Sequence, residues 1–300
     1  MAAFENQLTG SLEGDAGLEI GRHGPITGIR GVLLIDHRGH LLPSLPEARD
    51  GRHRIDRLPS VAGHLDPVTE FLEARPRNQL QGRRILAEAL ARSAVGAITL
   101  IDMDHVAESN INRQLPAIET ELGRAKVAVL RERIAQINPA CRVSCREQFV
   151  TIDNAAELIP GDDLWVIDCI DSFRIKAAMI AMCRRREQAL ITVGAAGGQR
   201  DPTRVRVSDL RKTEQDPLLA RTRRLLRREY GFPGNPKRRF GVPCVWSDEP
   251  QVQPPGRCDT PAEGSLNCAG FGACMPVTAA FGLAAAGYVI DRLSRRPAGD

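Results

Sequence analysis

The stretch AITLIDMD, residues 97–104, decides the fold of this chain. Its first five residues form an apolar run of strand length, which ends in the acidic residues Asp102 and Asp104. A short apolar run bounded by polar residues is typical of a strand buried on both faces of a parallel sheet. We therefore predict a core strand at residues 97–101, with two carboxylates at its carboxyl end.

Helical and strand patterns alternate after this first strand. Apolar residues recur at helical spacing, or in short continuous runs, as far as residue 193. The predicted helices cover residues 85–93, 123–136, 154–159 and 173–185. The predicted strands cover residues 97–101, 142–150, 164–167 and 190–193. Such alternation predicts an α/β fold with a doubly wound, mostly parallel sheet that helices cover on both faces.

The first 80 residues differ in composition from the rest of the chain. They hold five of the six histidines and no lysine, and residues 21–77 are rich in Gly, Pro, Arg and His. Apart from an apolar run at residues 32–35, they show little hydrophobic period. A segment of this kind buries too little apolar surface to offset its ordering entropy. We predict an atypical, poorly packed segment at residues 1–80 and one folded domain at residues 81–300.

Acidic residues follow two of the predicted strands. Asp102 and Asp104 follow the first strand, and Asp168 and Asp171 follow a later one. Ligands of open parallel sheets lie beyond the carboxyl ends of the strands, where a carboxylate can accept hydrogen bonds from a ribose. A carboxylate near a triphosphate can also hold Mg²⁺. This edge of the sheet is therefore the predicted nucleotide site.

A polar loop and a lysine supply positive charge near the same edge. The loop SNINRQ, residues 109–114, contains Arg113 and Gln114, and Lys126 begins the following helix. Arg and Lys beside phosphates neutralise the charge that develops as pyrophosphate leaves. Each residue alone has an ordinary structural interpretation: the Asp residues could form turns, and the arginine could make a surface ion pair. Their combination favours a site that binds ATP.

A second feature is a cluster of basic residues near residue 225. The arginines in one predicted helix are Arg221, Arg223, Arg224, Arg227 and Arg228, and the basic residues of the following turn are Lys237, Arg238 and Arg239. Like charges this close repel one another, so the cluster indicates a polyanion partner, with a solvated helix face as the alternative. The nearby aromatic residues are Tyr230, Phe232, Phe240 and Trp246. They either stack on unpaired bases or belong to the core.

The cysteines and the longest uncharged run exclude some classes of protein. The eight cysteines form no CxxC pair, so no zinc ribbon is expected, and no secretory signal opens the chain. Both observations favour a cytoplasmic protein with free thiols. No residue from 264 to 290 is charged. Since Pro276 and many Ala and Gly residues interrupt this run, a buried helix is favoured over a membrane span.

Four motifs, with the site residues above, resemble the ThiF/MoeB and ubiquitin-activating-enzyme superfamily, and within it the tRNA threonylcarbamoyladenosine dehydratase family. The motifs are AEALARSAVGAITLIDMD (87–104), INPACRV (137–143), AAGGQRDPTRVRVSDLRKTEQDPL (195–218) and CAGFGACMPVTAAFG (268–282). The resemblance covers residues 85–292. It implies a Rossmann-like adenylating-enzyme fold with a C-terminal extension.

The resemblance implies a role for each site residue. Asp102 would bind the ribose, and Asp171 would hold Mg²⁺ and orient the α-phosphate. The phosphate contacts would be Asn110, Arg113 and Lys126. Asp104 and Gln114 would complete the nucleotide site, and Arg113, Lys126 and Asp171 would act in catalysis. The implied tRNA contacts, in a basic insertion at residues 204–245, are Arg221, Arg224, Arg227, Arg228, Lys237 and Arg238.

The resemblance also implies a reaction and partners. ATP would activate the carboxylate of the threonylcarbamoyl group on the adenosine beside the tRNA anticodon. The carbamoyl oxygen would then close onto that carbonyl and expel AMP, leaving a cyclic oxazolone. Because this step is intramolecular, it gains from proximity. A homodimer and association with a cysteine desulfurase system are also implied.

Two alternatives concern the substrate and the nucleophile. Relatives in the superfamily adenylate the C-terminus of a ubiquitin-like or sulfur-carrier protein, but the missing CxxC pairs and the basic helix argue against that substrate. Cys244 and Cys268 are possible nucleophiles, because some superfamily members form covalent intermediates. Free cysteines are more often small buried hydrophobic residues.

The sequence departs from the family pattern ahead of the first predicted helix. The family needs a loop of the form GxGGVG there, whose backbone amides cradle phosphates. This chain has QLQGRRIL at residues 79–86, with Gly82 alone, and EARPRN at residues 73–78 in place of an apolar strand. We therefore expect weak or absent ATP binding unless another segment supplies those amides. An inactive homologue is the corresponding alternative.

Overall fold

A seven-stranded sheet lies at the centre of the structure, a computed structural model that describes residues 32–36, 83–160, 164–252 and 272–295. The strands are β1 (Val32–Asp36), β2 (Ala97–Ile101), β3 (Arg142–Arg146), β4 (Leu164–Asp168), β5 (Leu190–Val193), β6 (Val205–Asp209) and β7 (Pro243–Ser247). Their order is β3-β2-β1-β4-β5-β7-β6. Five strands share one direction, whereas β1 and β6 run antiparallel to their neighbours. The predicted α/β fold with a mostly parallel sheet is confirmed.

Helices cover both faces of this sheet. They are α1 (Arg83–Arg92), α2 (Lys126–Ile137), α3 (Ala155–Leu158), α4 (Phe173–Arg185), α5 (Pro217–Glu229) and α6 (Met275–Ser294). One apolar cluster joins α3, α4 and α5 to the sheet and includes Met179 and Leu226. A second cluster joins α1, α2 and α6 to the other face and includes Leu90 and Phe281. This two-sided core is the physical basis of the doubly wound architecture.

Most predicted boundaries agree with the structure, and the differences have local causes. The predicted strand at residues 97–101 and helix at residues 173–185 match β2 and α4. The helix predicted from residue 123 begins at Lys126, because Gly123 adopts a φ of +80° that no helix contains. The strand predicted to reach residue 150 ends at Arg146.

Strand β1 fills the position that sequence reasoning left without a strand. Val32 pairs with Ile101 of β2 and also with Asp168 of β4, and both pairings are antiparallel. In doubly wound sheets the first strand lies between the second and the fourth, and its carboxyl end leads into the phosphate-binding turn. Here the chain leaves β1 at Asp36, on the opposite edge of the sheet. The strand position is therefore occupied, but β1 cannot lead directly into a phosphate loop at the predicted site.

The rest of the predicted N-terminal segment, residues 1–31 and 37–80, lies outside the described residues. Residues 204–245, predicted as a basic insertion, contribute β6, α5 and β7 to the body of the domain. Helix α6 contains most of the uncharged run, and its Val277, Ala285 and Val289 are buried. Within the ranges described, no helix is long and apolar enough to cross a membrane.

Candidate active site

The end of β2 brings two acidic residues and a lysine together. Asp102 Oδ1 accepts a hydrogen bond from the backbone N–H of Asp104 at 3.0 Å. The Lys126 Nζ lies 2.9 Å from Asp104 Oδ2, and its side chain is only 8% exposed. The backbone N–H of Lys126 also donates to the carbonyl of Asp104, at 2.9 Å. The start of α2 is thereby fixed against the end of β2, which places one ammonium group beside the carboxyl edge of the sheet.

The polar loop is folded inward. Asn110 is buried at the end of a short 3-10 helix (Glu108–Asn110), and its Oδ1 accepts a hydrogen bond from the N–H of Ala107. Arg113 is buried too, and it donates to the Ser109 carbonyl and to Asn112 Oδ1. An ordinary surface arginine is therefore the wrong reading of Arg113. These hydrogen bonds hold a guanidinium in a fixed orientation inside the loop.

Gln114 is also buried, and its Oε1 has no hydrogen-bond partner within the described part of the chain. A buried acceptor left without a partner costs on the order of 1–3 kcal/mol. Such an atom beside Arg113 suits a site whose ligand supplies a donor.

Helix α6 braces this loop from the C-terminal end of the domain. Thr278 Oγ1 donates to the Arg113 carbonyl at 3.3 Å, and Asn112 Nδ2 donates to the Ala273 carbonyl at 3.3 Å. Thr278 is buried. The C-terminal motif at residues 268–282 therefore positions the arginine loop through Ala273 and Thr278, although these lie about 160 residues away along the chain.

Asp171 reaches the same edge from β4. Ile101 and Asp168 both pair with Val32, so the carboxyl ends of β2 and β4 lie level with each other. One strand separates them, which corresponds to roughly 10 Å at the usual strand spacing. Asp171 follows β4 by three residues, and Asp102 directly follows β2. The predicted ribose acid and the predicted metal acid thus lie at one edge of the sheet, on either side of the amino end of β1.

A buried ionic network lies beneath Asp171, and the sequence reasoning did not identify it. Lys176 and Asp168 are fully buried, with Lys176 Nζ 2.8 Å from Asp168 Oδ2. Lys176 also donates to Thr192 Oγ1 and to the Val193 carbonyl, while Asp168 Oδ1 accepts from the N–H of Ile170. In the sequence, the single lysine within the apolar run of α4 is the feature that indicates a buried ion pair. Asp168 therefore supports the turn that carries Asp171.

Asp216 is a second residue that the sequence reasoning missed. It caps α5 by accepting the N–H of Leu219 at 3.0 Å, and it accepts the N–H of Ala195 at 2.8 Å. Burial raises the pKa of this carboxyl. Gly194 is required beside it, because a Cβ there would lie 2.3 Å from Asp216 Oδ2. The basic helix is thus tied directly to the carboxyl end of β5.

The side chains at this edge are partly consistent with a bound nucleotide and Mg²⁺. Among the described residues no three His, Cys, Asp or Glu side chains cluster as a metal cage. Mg²⁺ in nucleotide sites is usually held by one or two carboxylates, substrate phosphates and water, so Asp171 could hold it together with a triphosphate. The phosphate loop does not fit in the same way, because β1 runs in the reverse direction.

Helix α5 presents most of the predicted basic surface to solvent. Arg221, Arg224 and Arg228 are exposed, as are Lys237 and Arg238 in the turn that follows. Arg227 differs, because it is half-buried with its guanidinium 5.4 Å from the centre of the Phe240 ring. The opposite face of α5 packs into the core through Leu218, Leu219, Leu225 and Leu226.

The aromatic residues and Cys244 belong to the core. Phe240 and Trp246 are buried, so a base-stacking role for these two is excluded in this conformation. Cys244 pairs with Thr192 in the sheet and is fully buried, and burial raises the pKa of its thiol well above the ordinary value. A role for Cys244 as a buried hydrophobic residue is therefore favoured over a role as a nucleophile. Cys268 lies outside the described residues.

Known proteins share both the sequence and the fold. The ThiF family matches residues 84–299. The chain is 48% identical over 220 residues to the tRNA threonylcarbamoyladenosine dehydratase of Escherichia coli, covering 71% of this chain and 82% of that protein. It is 44% identical over 212 residues to the Haemophilus influenzae protein of that name, covering 70% and 81%.

A solved structure of the E. coli dehydratase, TcdA, in complex with ATP aligns with a TM-score of 0.64. It is 46% identical and covers 72% of this chain and 83% of that chain. The same enzyme has also been solved in complex with AMP. The family match covers more than half of the sequence, and the chain belongs to the ThiF family.

Proposed function

We propose that this protein catalyses the ATP-dependent dehydration of threonylcarbamoyladenosine in tRNA, next to the anticodon. The observation that carries the proposal is the 48% identity to the E. coli dehydratase across 82% of its length. The match to the ThiF family, over residues 84–299, includes the arginine loop, the lysine of α2 and the C-terminal helix that braces the loop. The ATP and AMP complexes of that relative agree with activation of a carboxylate by adenylation.

The geometry supports separate roles for the acids and the bases. Asp102, at the end of β2, binds the ribose, and Asp171, beyond β4, holds Mg²⁺ and orients the α-phosphate. Lys126 and Arg113 are buried and fixed by hydrogen bonds, so they face the phosphates at little further ordering cost. Preorganised charge of this kind stabilises a leaving pyrophosphate more than it stabilises the bound substrate.

The remaining nucleotide contacts come from the loop and from Asp104. Asn110 and Gln114 supply buried amides, and the Gln114 Oε1 would accept a hydrogen bond from the ligand. Asp104 orients the Lys126 ammonium through the 2.9 Å ion pair. Once ATP has activated the carboxylate of the modified nucleoside, ring closure needs no protein nucleophile, which agrees with the burial of Cys244.

The basic face of α5 and the turn after it would bind tRNA. Arg221, Arg224 and Arg228 lie in one exposed row at helical spacing, and Lys237 and Arg238 extend it. Phosphate contacts from such residues give affinity that falls with salt. Asp216 links this helix to the end of β5, so tRNA bound on α5 would be positioned relative to the nucleotide site.

A homodimer would account for the exposed apolar residues beyond β2. Five large hydrophobic residues between positions 103 and 122 are at least 38% exposed: Met103, Ile111, Leu115, Ile118 and Leu122. Large exposed apolar surface on a folded domain is typical of a protein interface, and we propose that these residues contribute to one. A cysteine desulfurase partner and a cytoplasmic location complete the proposal, and both rest on the family resemblance.

The reversed direction of β1 favours a second candidate. If no other segment supplies phosphate amides, the chain would be a tRNA-binding homologue that lacks dehydratase activity. Incubation with ATP, Mg²⁺ and tRNA carrying threonylcarbamoyladenosine separates the two functions. Loss of one water from the nucleoside, detected by mass spectrometry, supports the dehydratase. Binding of that tRNA without water loss, under conditions in which the E. coli relative converts it, supports the second candidate.

A further inference from the structure

Three arginines lie together between the exposed face of α5 and the body of the domain. Arg211 belongs to a 3-10 helix (Leu210–Lys212) that precedes α5, and Arg223 and Arg227 lie one turn apart on α5. Burial lowers the pKa of Arg223 and Arg227, and Coulombic repulsion among the three guanidinium groups lowers it further. We call this set the arginine triad.

Neighbouring side chains hold the guanidinium groups of two members of the triad. Arg223 Nη1 donates to Thr213 Oγ1, and the Arg227 guanidinium lies over the Phe240 ring. Thr213 is itself fixed, because its hydroxyl donates to the Leu210 carbonyl at 2.9 Å. The guanidinium groups are therefore oriented by the fold, in contrast to the exposed arginines of the same helix.

The triad has no direct ion-pair partner within the described part of the chain. None of the three arginines lies within 4.0 Å of a carboxylate there, whereas the exposed Arg228 pairs with Glu229. The buried Nε atoms of Arg211 and Arg227 have no hydrogen-bond partner there. Burial lowers the pKa of Arg223 and Arg227, and the neighbouring guanidinium charges add to this effect, whereas the Asp216 carboxylate opposes it at Arg223 from a longer distance. Among the described residues no direct ion pair neutralises these three half-buried cations, an arrangement that suits a bound anion.

The geometry points to the triad as a built site for one phosphate group, the phosphodiester of a bound tRNA. Guanidinium forks match phosphate oxygens in a bidentate manner, and an oriented fork loses little freedom when it binds. The polynucleotide is favoured over a free anion because Arg223 and Arg227 border the exposed row of Arg221, Arg224 and Arg228 on one helix. The inference rests on the proposed tRNA function. In this inference the triad fixes the register of the tRNA on the protein, and the exposed row supplies general electrostatic attraction.

Conservative double variants test the role of the triad. Arg223→Lys with Arg227→Lys keeps both charges but removes both forks, and Arg131→Lys with Arg142→Lys, at two exposed arginines outside the proposed tRNA surface, is the matched control. We expect the triad variant to bind tRNA about tenfold more weakly at a fixed salt concentration, and the control to stay within about twofold. Equal losses in both variants, or no loss in the triad variant, would overturn the inference.

Thermal unfolding in inorganic phosphate provides a readout that does not depend on tRNA. Phosphate should raise the unfolding midpoint of the wild-type protein and raise that of the triad variant less. If the wild type fails to bind tRNA, the proposed function fails, while a differential effect of phosphate still supports an anion site at the triad. Equal phosphate shifts in the two proteins would overturn that site. A differential shift with unchanged tRNA affinity would overturn its assignment to a tRNA phosphate.

Discussion

Lys176 and Asp168 form an ion pair in which both side chains are fully buried, with Nζ 2.8 Å from Oδ2. The pair joins α4 to the end of β4, directly before the turn that carries Asp171. Thr192 Oγ1 donates to the same carboxylate oxygen at 2.7 Å, so the network also reaches β5. Asp171, the acid predicted to hold Mg²⁺, therefore follows directly after a polar network whose side chains are inaccessible to water.

Removing one partner of this pair should destabilise the protein strongly. Lys176→Met leaves the Asp168 carboxylate buried and uncompensated, which typically costs about 3–5 kcal/mol. Urea unfolding measures the change in the free energy of unfolding. Arg295→Met is the control, since Arg295 pairs with Asp291 on an exposed surface, where an ion pair is worth about 1 kcal/mol or less. Similar changes in the two variants would contradict the role assigned to Lys176.

Gly194→Ala should destabilise the junction between β5 and α5. The added Cβ would lie 2.3 Å from Asp216 Oδ2 and 2.9 Å from Leu219 Cδ1, and overpacking of this kind typically costs about 1–3 kcal/mol. Gly287→Ala is the control, because no atom lies within 4 Å of a Cβ at that helical position. The control should stabilise the protein by up to about 1 kcal/mol. A neutral Gly194→Ala variant would show that Asp216 can move away without cost.

Asp216 should make stability decrease as pH rises. Burial raises the pKa of its carboxyl, so the folded protein holds the proton to higher pH than the unfolded chain does. Wherever the folded state binds more protons, raising the pH lowers the free energy of unfolding. Relative to Asp216→Asn, the wild type should thus lose stability as the pH rises above about 4, the ordinary pKa of an aspartate. A stability difference that stays constant, or that grows in favour of the wild type, would contradict this assignment.

Cys244→Ala should leave the reaction intact. The thiol is fully buried between β5 and β6, and burial raises its pKa, so it cannot act as a thiolate at neutral pH. Turnover of the variant should stay within about threefold of the wild type, since a thiol buried in apolar surroundings is inert. Abolished cyclisation in a variant with an unchanged unfolding midpoint would instead identify Cys244 as a nucleophile.

ATP should bind more weakly to this chain than to a relative with a complete glycine loop. Strand β1 leaves the sheet at the edge opposite Asp102, and residues 73–86, where the glycine loop is expected, contain Gly82 as their single glycine. Calorimetric titration with ATP and Mg²⁺ should detect little or no heat of binding. Replacing residues 1–82 with the corresponding strand and loop of the E. coli relative should strengthen binding. Ordinary micromolar affinity in the unaltered chain would contradict the expectation.

Local sequence patterns were sufficient for most of the fold. Strands β2, β4 and β5 are short apolar runs in the sequence, and helical patterns alternate with them along the chain. Helix α4 begins and ends at the residues that its pattern predicts. β1 was missed as part of the sheet, because its four-residue apolar run does not encode which strands it pairs with or in which direction. Register depends on tertiary partners that lie more than 60 residues away.

The candidate site was predictable as a set of residue types but not as a network. Asp102, Arg113 and Lys126 follow recognisable elements, and strand order brings them to one edge. The pairing of Lys176 with Asp168, and of Asp216 with Ala195, depends on packing across separate layers of the fold. Burial likewise separated the half-buried Arg223 and Arg227 from the exposed arginines, which share the same sequence pattern.

Oxygen transfer from the substrate to AMP tests carboxylate activation most directly. The measurement uses tRNA whose threonylcarbamoyl carboxylate is labelled with ¹⁸O, incubated with ATP and Mg²⁺, with mass spectrometry of the nucleoside and the nucleotides. Adenylation predicts that the nucleoside loses one labelled oxygen as it cyclises, and that AMP gains one. Cyclisation that places the label in phosphate or pyrophosphate, or in water alone, would contradict an acyl adenylate formed at this site.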